Sequence, residues 1–372
     1  MPEIWLKYGT TDIVLDIKFE NLLKHVSSDY PLLTDDEIKS ALKDVIIGDN
    51  TLIFALSGSR SVAKITTMLS QMVQSKGYEK LTVDVLPDVA EALKMYITDT
   101  KISLRRIDYP SLPEILHRFQ NVIFISHVTY DPLFGFSGTP TLILRNFMKD
   151  MMSEAFKSRQ NDLPSVGNKG TPLQIALSSC ENIPALSIDV VANYHGIAGI
   201  YYGNILQSFN DAVTKLSAIS SIKIEPTKSV IISTSSEISP HLTLTNSLNT
   251  IWNSSHIVKE GGSVVLLAEN KQGIGGGALQ MFIEGKLNIE DAKKCTSYID
   301  GLEHLVFIEA LKQKYELGIL STIPQYYLRT LLGFTTYSGT KDVLQGLLTK
   351  HGKNNKVLVV SDGDVILLKT ML

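Results

Sequence analysis

Apolar and polar positions alternate along the chain in short, regular blocks. Residues 3–8 and 13–17 read as two strands of a hairpin turning at Gly9-Thr10-Thr11-Asp12. Thr34, with Glu37 three residues later, forms a capping box ahead of an apolar stripe of Ile38, Ala41, Leu42 and Val45, which predicts a helix. Units of the strand–helix kind follow. Residues 51–56 (TLIFAL), 81–86 (LTVDVL) and 121–126 (NVIFIS) are apolar runs of strand length. Residues 62–74 and 89–96 carry helical periodicity between them.

A second series begins after a helical stretch at 209–217 and a segment at 222–227. Strands are predicted at 229–233 and 263–268, and helices at 245–252 and 278–283. Further strand–helix pairs run through 318–320 and 340–348, and the runs 356–360 and 365–368 close the pattern. Alternation of this kind predicts α/β architecture, with parallel or mixed sheets flanked by helices. The expectation is two α/β domains, 1–224 and 225–372, with a cleft between them. Ligands of such sheets bind beyond the carboxyl ends of the strands, which directs attention to the loops at 57–61, 87–88 and 127–141.

Composition narrows the classes. The 372 residues are 44% hydrophobic and 20% charged, too apolar for a disordered chain. A net charge of -3 leaves no basic excess to neutralise phosphates, so a nucleic-acid partner is not expected. No apolar run approaches the roughly 18–20 residues of a membrane span, and no signal peptide is visible. Cys180 and Cys295 are two lone thiols, which suits a reducing compartment. The expectation is a cytoplasmic protein with neither a nucleic-acid nor a membrane partner. Composition gives no reading of its oligomeric state.

The loop Ser57-Gly58-Ser59-Arg60-Ser61 joins a strand to a helix. Hydroxyls, an arginine and free N–H groups at the helix start suit a carboxylate or phosphate; equally, the serines can serve as helix caps beside a solvated Arg60. The run Gly273-Ile274-Gly275-Gly276-Gly277 does not keep the G-x-G-x-x-G spacing of a dinucleotide loop and reads as a turn. Gly135-Phe136-Ser137-Gly138 has Thr139 where a nucleophile elbow needs glycine, so Ser137 reads as a turn hydroxyl. No two of the eight histidines lie within four residues, so no local metal motif exists. His127 and Asp131 bracket one loop and could pair as acid and base; His195 lies in another polar cluster.

Several of these pieces occur in a familiar order: Lys7-Tyr8-Gly9, Ala41-Leu42 through Ile47-Gly48, Ser59-Arg60, Gly135-Phe136-Ser137-Gly138, Val258-Lys259-Glu260-Gly261-Gly262, and Ala268-Glu269 with Gly273-Ile274-Gly275. Together they resemble the nickel-pincer nucleotide lactate racemase family over nearly the whole chain. The resemblance implies two α/β domains and racemisation of a 2-hydroxy acid. That reaction runs by reversible hydride transfer to a pyridinium-derived cofactor that carries nickel.

The chemistry-bearing positions depart from that pattern. The family's Asp-x-Thr-Arg loop is Ser57-Gly58-Ser59-Arg60 here, and Leu86-Pro87-Asp88-Val89 occupies the place of a Gly-Thr-His-Arg motif. Asp131 stands where the family has a histidine, and Thr141 where it has the lysine that carries the cofactor. The region 155–158 lacks the nickel-ligand histidine, and Thr245, Asn246 and Asn249 replace a Tyr-Gln-x-x-Lys segment.

The expectation is therefore a divergent member with no nickel-pincer cofactor, no metal and no racemase activity. Its cleft would hold a small polar or anionic molecule through Ser57, Ser59, Arg60, Asp131, Ser137, Thr141, Asn246 and Asn249, with Arg60 and Asp131 as the candidates for any catalytic role. Two alternatives stand beside it: an active 2-hydroxy-acid racemase or epimerase holding the cofactor non-covalently, and a different enzyme using Asp131 or Asp88 as base or as ligand to a hard cation.

Overall fold

Two six-stranded sheets organise the chain. A computed structural model describes residues 3–48, 50–77, 79–108, 111–235, 237 and 239–371. The first sheet runs in the order Gly196–Asn204, Leu186–Asn193, Asn121–His127, Thr51–Ala55, Leu81–Val85 and Ile102–Arg106. Its strands are parallel except for the edge strand Gly196–Asn204, which returns antiparallel beside Leu186–Asn193. The second sheet is parallel throughout: Thr335–Thr336, Glu316–Leu320, Val258–Leu267, Thr227–Ser233, Val357–Val360 and Leu22–Val26.

Local chemistry explains the elements that the pattern predicts. The apolar runs at 51–55 and 121–127 become central strands because both of their faces are covered. The Thr34 capping box forms: the Glu37 N–H donates to Thr34 Oγ1 at 3.3 Å, and the Thr34 N–H donates to Glu37 Oε2 at 2.7 Å. Ser59 caps the helix Arg60–Ser75 by accepting from the Val62 N–H at 3.3 Å. The glycine run is a turn in which Gly273, Gly275 and Gly277 take positive φ. A side chain at Gly277 would meet the Asp300 carbonyl at 2.1 Å, so glycine is needed there for a close backbone approach.

The division at residue 225 needs correction for the first stretch of chain. Strand Leu22–Val26 is the edge of the second sheet, with His25 in register with Val359. The hairpin Glu3–Tyr8 with Thr11–Asp16 packs Leu6 and Leu15 against Ile231, Val265 and Val359 of that same sheet. The chain thus starts on the second unit, crosses to build the first, and returns. Periodicity misses this because Leu22–Val26 exposes three of its five residues and shows no apolar run. Strand Ser221–Ile224, just before the expected boundary, likewise pairs with Leu367–Thr370 near the end of the chain.

One buried cluster runs through the junction of the units, from Phe134, Phe156 and Phe209 to Trp252 and Phe307. Each such side chain contributes about 1.5–3 kcal/mol by leaving water. Both cysteines are free and buried. Among the described residues, no helix is long and apolar enough to cross a membrane.

Candidate functional site

The carboxyl ends of the two sheets face each other across a cavity of about 200 Å³. Ser57, Gly58 and Ser59 reach it from the loop after strand Thr51–Ala55, and His127 from the end of its own strand. Thr129, Tyr130 and Ser137 come from the antiparallel pair Thr129–Asp131 and Gly135–Ser137. The second unit supplies Glu237, Ser239 and Pro240 after strand Thr227–Ser233, and Asn246 and Asn249 on helix Leu244–Trp252. Asp364 follows strand Val357–Val360. The walls are thus strand-end loops, the short antiparallel pair that follows strand Asn121–His127, and helix Leu244–Trp252, all beyond the carboxyl ends of parallel strands.

The hydrogen bonds fix several side chains in place. His127 Nε2 lies 3.3 Å from the Ala192 carbonyl, which assigns the ring proton to Nε2, and the backbone N–H of His127 donates to Ser57 Oγ at 3.2 Å. Burial lowers the His127 pKa; Glu237 and the Ala192 carbonyl pull the other way without reversing it, so the ring is uncharged at neutral pH. Glu237 is 4% exposed and accepts from the Arg60 N–H at 3.1 Å and from the Tyr96 hydroxyl at 3.0 Å. Asp364 accepts from both the N–H and the hydroxyl of Ser235, at 2.5 and 2.7 Å. Burial, with Asp362 nearby, pushes the Asp364 carboxyl up to about 7 against the Ser235 hydrogen bonds. Behind this wall, burial lowers His241 to about 4. Its Nε2 donates to the Ser235 carbonyl at 2.7 Å, and its Nδ1 accepts from the Gly9 N–H at 3.1 Å.

Of the eight residues expected at the site, Ser57, Ser59, Ser137, Asn246 and Asn249 line this cavity together. Arg60, Asp131 and Thr141 do not. The Arg60 guanidinium lies 4.7 Å from the Tyr194 ring centroid and 5.6 Å from that of Tyr96, and borders a separate groove with Asp35, Lys39 and Lys64. Stacking on two rings holds the cation there. Asp131 is a structural acceptor: Oδ1 takes the Leu133 and Phe134 N–H groups at 2.8 and 2.7 Å, and Oδ2 takes Arg145 at 3.0 Å. The expected His127–Asp131 pair does not form. Thr141 is fully buried, and its hydroxyl accepts from the Gly138 N–H at 3.0 Å at the start of helix Thr139–Phe147. Asp88 is exposed in the first turn of helix Pro87–Lys94. His195 serves the turn between strands Leu186–Asn193 and Gly196–Asn204, donating its N–H to Asn193 Oδ1 at 2.9 Å.

Sequence reasoning missed Glu237 and Asp364, the two carboxylates of the cavity. The available signal was the strand-end rule: the polar runs after 227–233 and 357–360 are the second unit's counterparts of the 57–61 loop. Two features bear on a lysine-anchored nickel cofactor. Among the described residues, no lysine lines the cavity. Among the described residues, no group of three or more His, Cys, Asp or Glu side chains is arranged to hold a metal.

No family model matches the sequence, and no curated protein matches it. Solved structures do match the fold. The lactate racemase apoprotein from Thermoanaerobacterium thermosaccharolyticum superposes with a TM-score of 0.77 at 15% identity, over 99% of this chain and 100% of that one. A structural-genomics protein from Thermotoga maritima superposes with a TM-score of 0.64 at 11% identity, over 92% of this chain and 100% of its own. The chain has a lactate racemase-like fold; identities this low carry the fold alone.

Proposed function

We propose that the cleft binds a small, hydroxyl-seeking molecule that is neutral or cationic rather than a carboxylate, and that the chain does not work as a nickel-pincer racemase. One observation carries the reading: among the described residues, the lining holds the carboxylates of Glu237 and Asp364 and no lysine or arginine. A bound hydroxy-acid anion would sit in that field without a counter-charge. Like charges about 4 Å apart repel by about 1 kcal/mol in water and about 4 kcal/mol at an effective dielectric near 20. That is enough to cancel the binding energy of a small anion. The hydroxyls of Ser57, Ser59, Thr129, Ser137 and Ser239, with the amides of Asn246 and Asn249, offer donors and acceptors to an uncharged polar ligand.

The nickel-pincer group does not fit these residues. Thr141 has no amine to anchor it, its hydroxyl is engaged at a helix start, and among the described residues no substitute lysine lines the cavity. The fold likeness to a lactate racemase favours one other reading, a racemase holding the cofactor non-covalently. Calorimetric titration with D- and L-lactate, glycerol, myo-inositol and small amino alcohols separates the two. Our reading expects heat from neutral or amine-bearing compounds, none from lactate, and loss of binding in Ser137→Phe, which fills the cleft. Lactate binding, or nickel retained after co-expression with cofactor-making enzymes, supports the racemase.

A further inference from the structure

Polar groups along the second unit's side of the cleft are short of donors and of positive charge. Asn249 Oδ1 is buried at the cavity wall and has no hydrogen-bond partner. Asn249 and Asp364 belong to one wall. One helical turn after Asn249, the Asn253 amide donates to the Gly363 carbonyl at 2.8 Å and to the Asp364 carbonyl at 3.3 Å. Asp364 accepts from Ser235 on each oxygen and from its own N–H, which leaves lone-pair capacity on the carboxylate.

We propose that this wall is an ammonium subsite, so that the ligand of the cleft carries a primary amine, held by Asp364 and Asn249 Oδ1. The proposal rests on reading the cleft as a ligand site and adds the charge of what enters it. An ammonium brings three N–H donors and the missing positive charge; a neutral diol brings donors but leaves the carboxylate uncompensated. The titratable groups facing Asp364 are Asp362 on its own loop, Tyr30, and Glu237 and His127 around the cavity. None of them is a permanent cation. The elevated Asp364 carboxyl is what an acid without its counter-ion shows, and an ammonium would displace its proton.

The test uses two matched pairs, ethanolamine against ethylene glycol and 3-aminopropanol against 1,3-propanediol, titrated calorimetrically into the full chain and into Asp364→Asn and Ser137→Phe. At pH 8 we expect the amines to bind at least tenfold more tightly than their neutral partners. Asp364→Asn should abolish that preference, with its circular dichroism unchanged. Amine affinity should fall at least fivefold between pH 8 and pH 6, as protons compete for Asp364. Equal affinity within each pair, retained preference in Asp364→Asn, or no binding by either amine overturns the ammonium subsite. Equal affinity within pairs leaves the cleft reading standing, whereas binding that survives Ser137→Phe overturns the cleft reading itself.

Discussion

Arg145 and Glu303 meet at 2.8 Å across the junction of the two units, the arginine on helix Thr139–Phe147 and the carboxylate on helix Leu302–Leu311. Arg145 also pairs with Asp131 at 3.0 Å and donates to the Tyr298 hydroxyl at 2.7 Å, which in turn donates to Glu303 at 2.7 Å. The pair is a buried tie that fixes the mouth of the cleft, since Asp131 closes the turn between two cavity-lining strands. Removing one partner leaves the other charge buried alone. We predict that Arg145→Met destabilises the fold by about 3–5 kcal/mol, measured as a lower urea midpoint. The double variant Arg145→Met with Glu303→Gln should recover part of that loss.

The same tie sets an acid limit. Burial alone would raise the Glu303 carboxyl, but Arg145, His304 and the Tyr298 hydroxyl overcome it and hold it at about 2. A depressed carboxyl contributes stability above its unfolded pKa and loses it as pH falls through the folded value. We expect the contribution of Glu303 to be complete at pH 5 and to disappear between about pH 4 and pH 2. Urea unfolding of wild type and Glu303→Gln over that range checks it: the two curves should converge near pH 2.

Asp364 has the opposite sign. Its folded carboxyl, raised to about 7, favours the protonated form, so stability is lost as pH rises from about 4 through 7. Asp364→Asn, which resembles the protonated acid, should therefore stabilise the protein at pH 8 and change little at pH 4. After allowance for partial exposure the gain is about 1–2 kcal/mol. A neutral or negative effect at pH 8 contradicts the uncompensated carboxylate on which the ligand assignment draws.

Arg60 offers a prediction of separation. With its guanidinium stacked on Tyr194 and Tyr96 and outside the cavity lining, Arg60→Ala should change ligand affinity in the cleft by less than threefold. Ser137→Phe should abolish it. A large loss in Arg60→Ala returns the arginine to the site.

His241 ties the N-terminal hairpin to the cleft's back wall through the Gly9 N–H and the Ser235 carbonyl. Its pKa, lowered to about 4 by burial, means that the neutral ring stabilises the fold above about pH 6.5, with the contribution declining as pH falls towards 4. His241→Ala should cost about 1–3 kcal/mol and expose the Gly9 amide to rapid hydrogen exchange.

What could be read from the sequence follows how local each signal is. Strands 51–55, 81–85 and 121–127 announce themselves as apolar runs, and the Thr34–Glu37 capping box is complete within four residues. The five site residues that converge lie beyond the carboxyl ends of the parallel strands, where topology directs ligands. Strand Leu22–Val26 stays hidden because it borrows its partner, Val357–Val360, from the far end of the chain. Asp131 reads as a catalytic candidate in the sequence because its partner Arg145 and the charge beyond it, Glu303, are joined to it only by folding. Asp364 escapes notice because a carboxylate in an Asp-Gly-Asp loop reads as a solvated turn until the fold sets it in the cavity wall.

The most direct test of the account is native mass spectrometry with metal analysis of the protein purified from its own source. We expect an unmodified chain mass, no stoichiometric nickel, and any small molecule released on denaturation to be neutral or amine-bearing. A covalent adduct, nickel at one equivalent, or a released hydroxy-acid anion would contradict it.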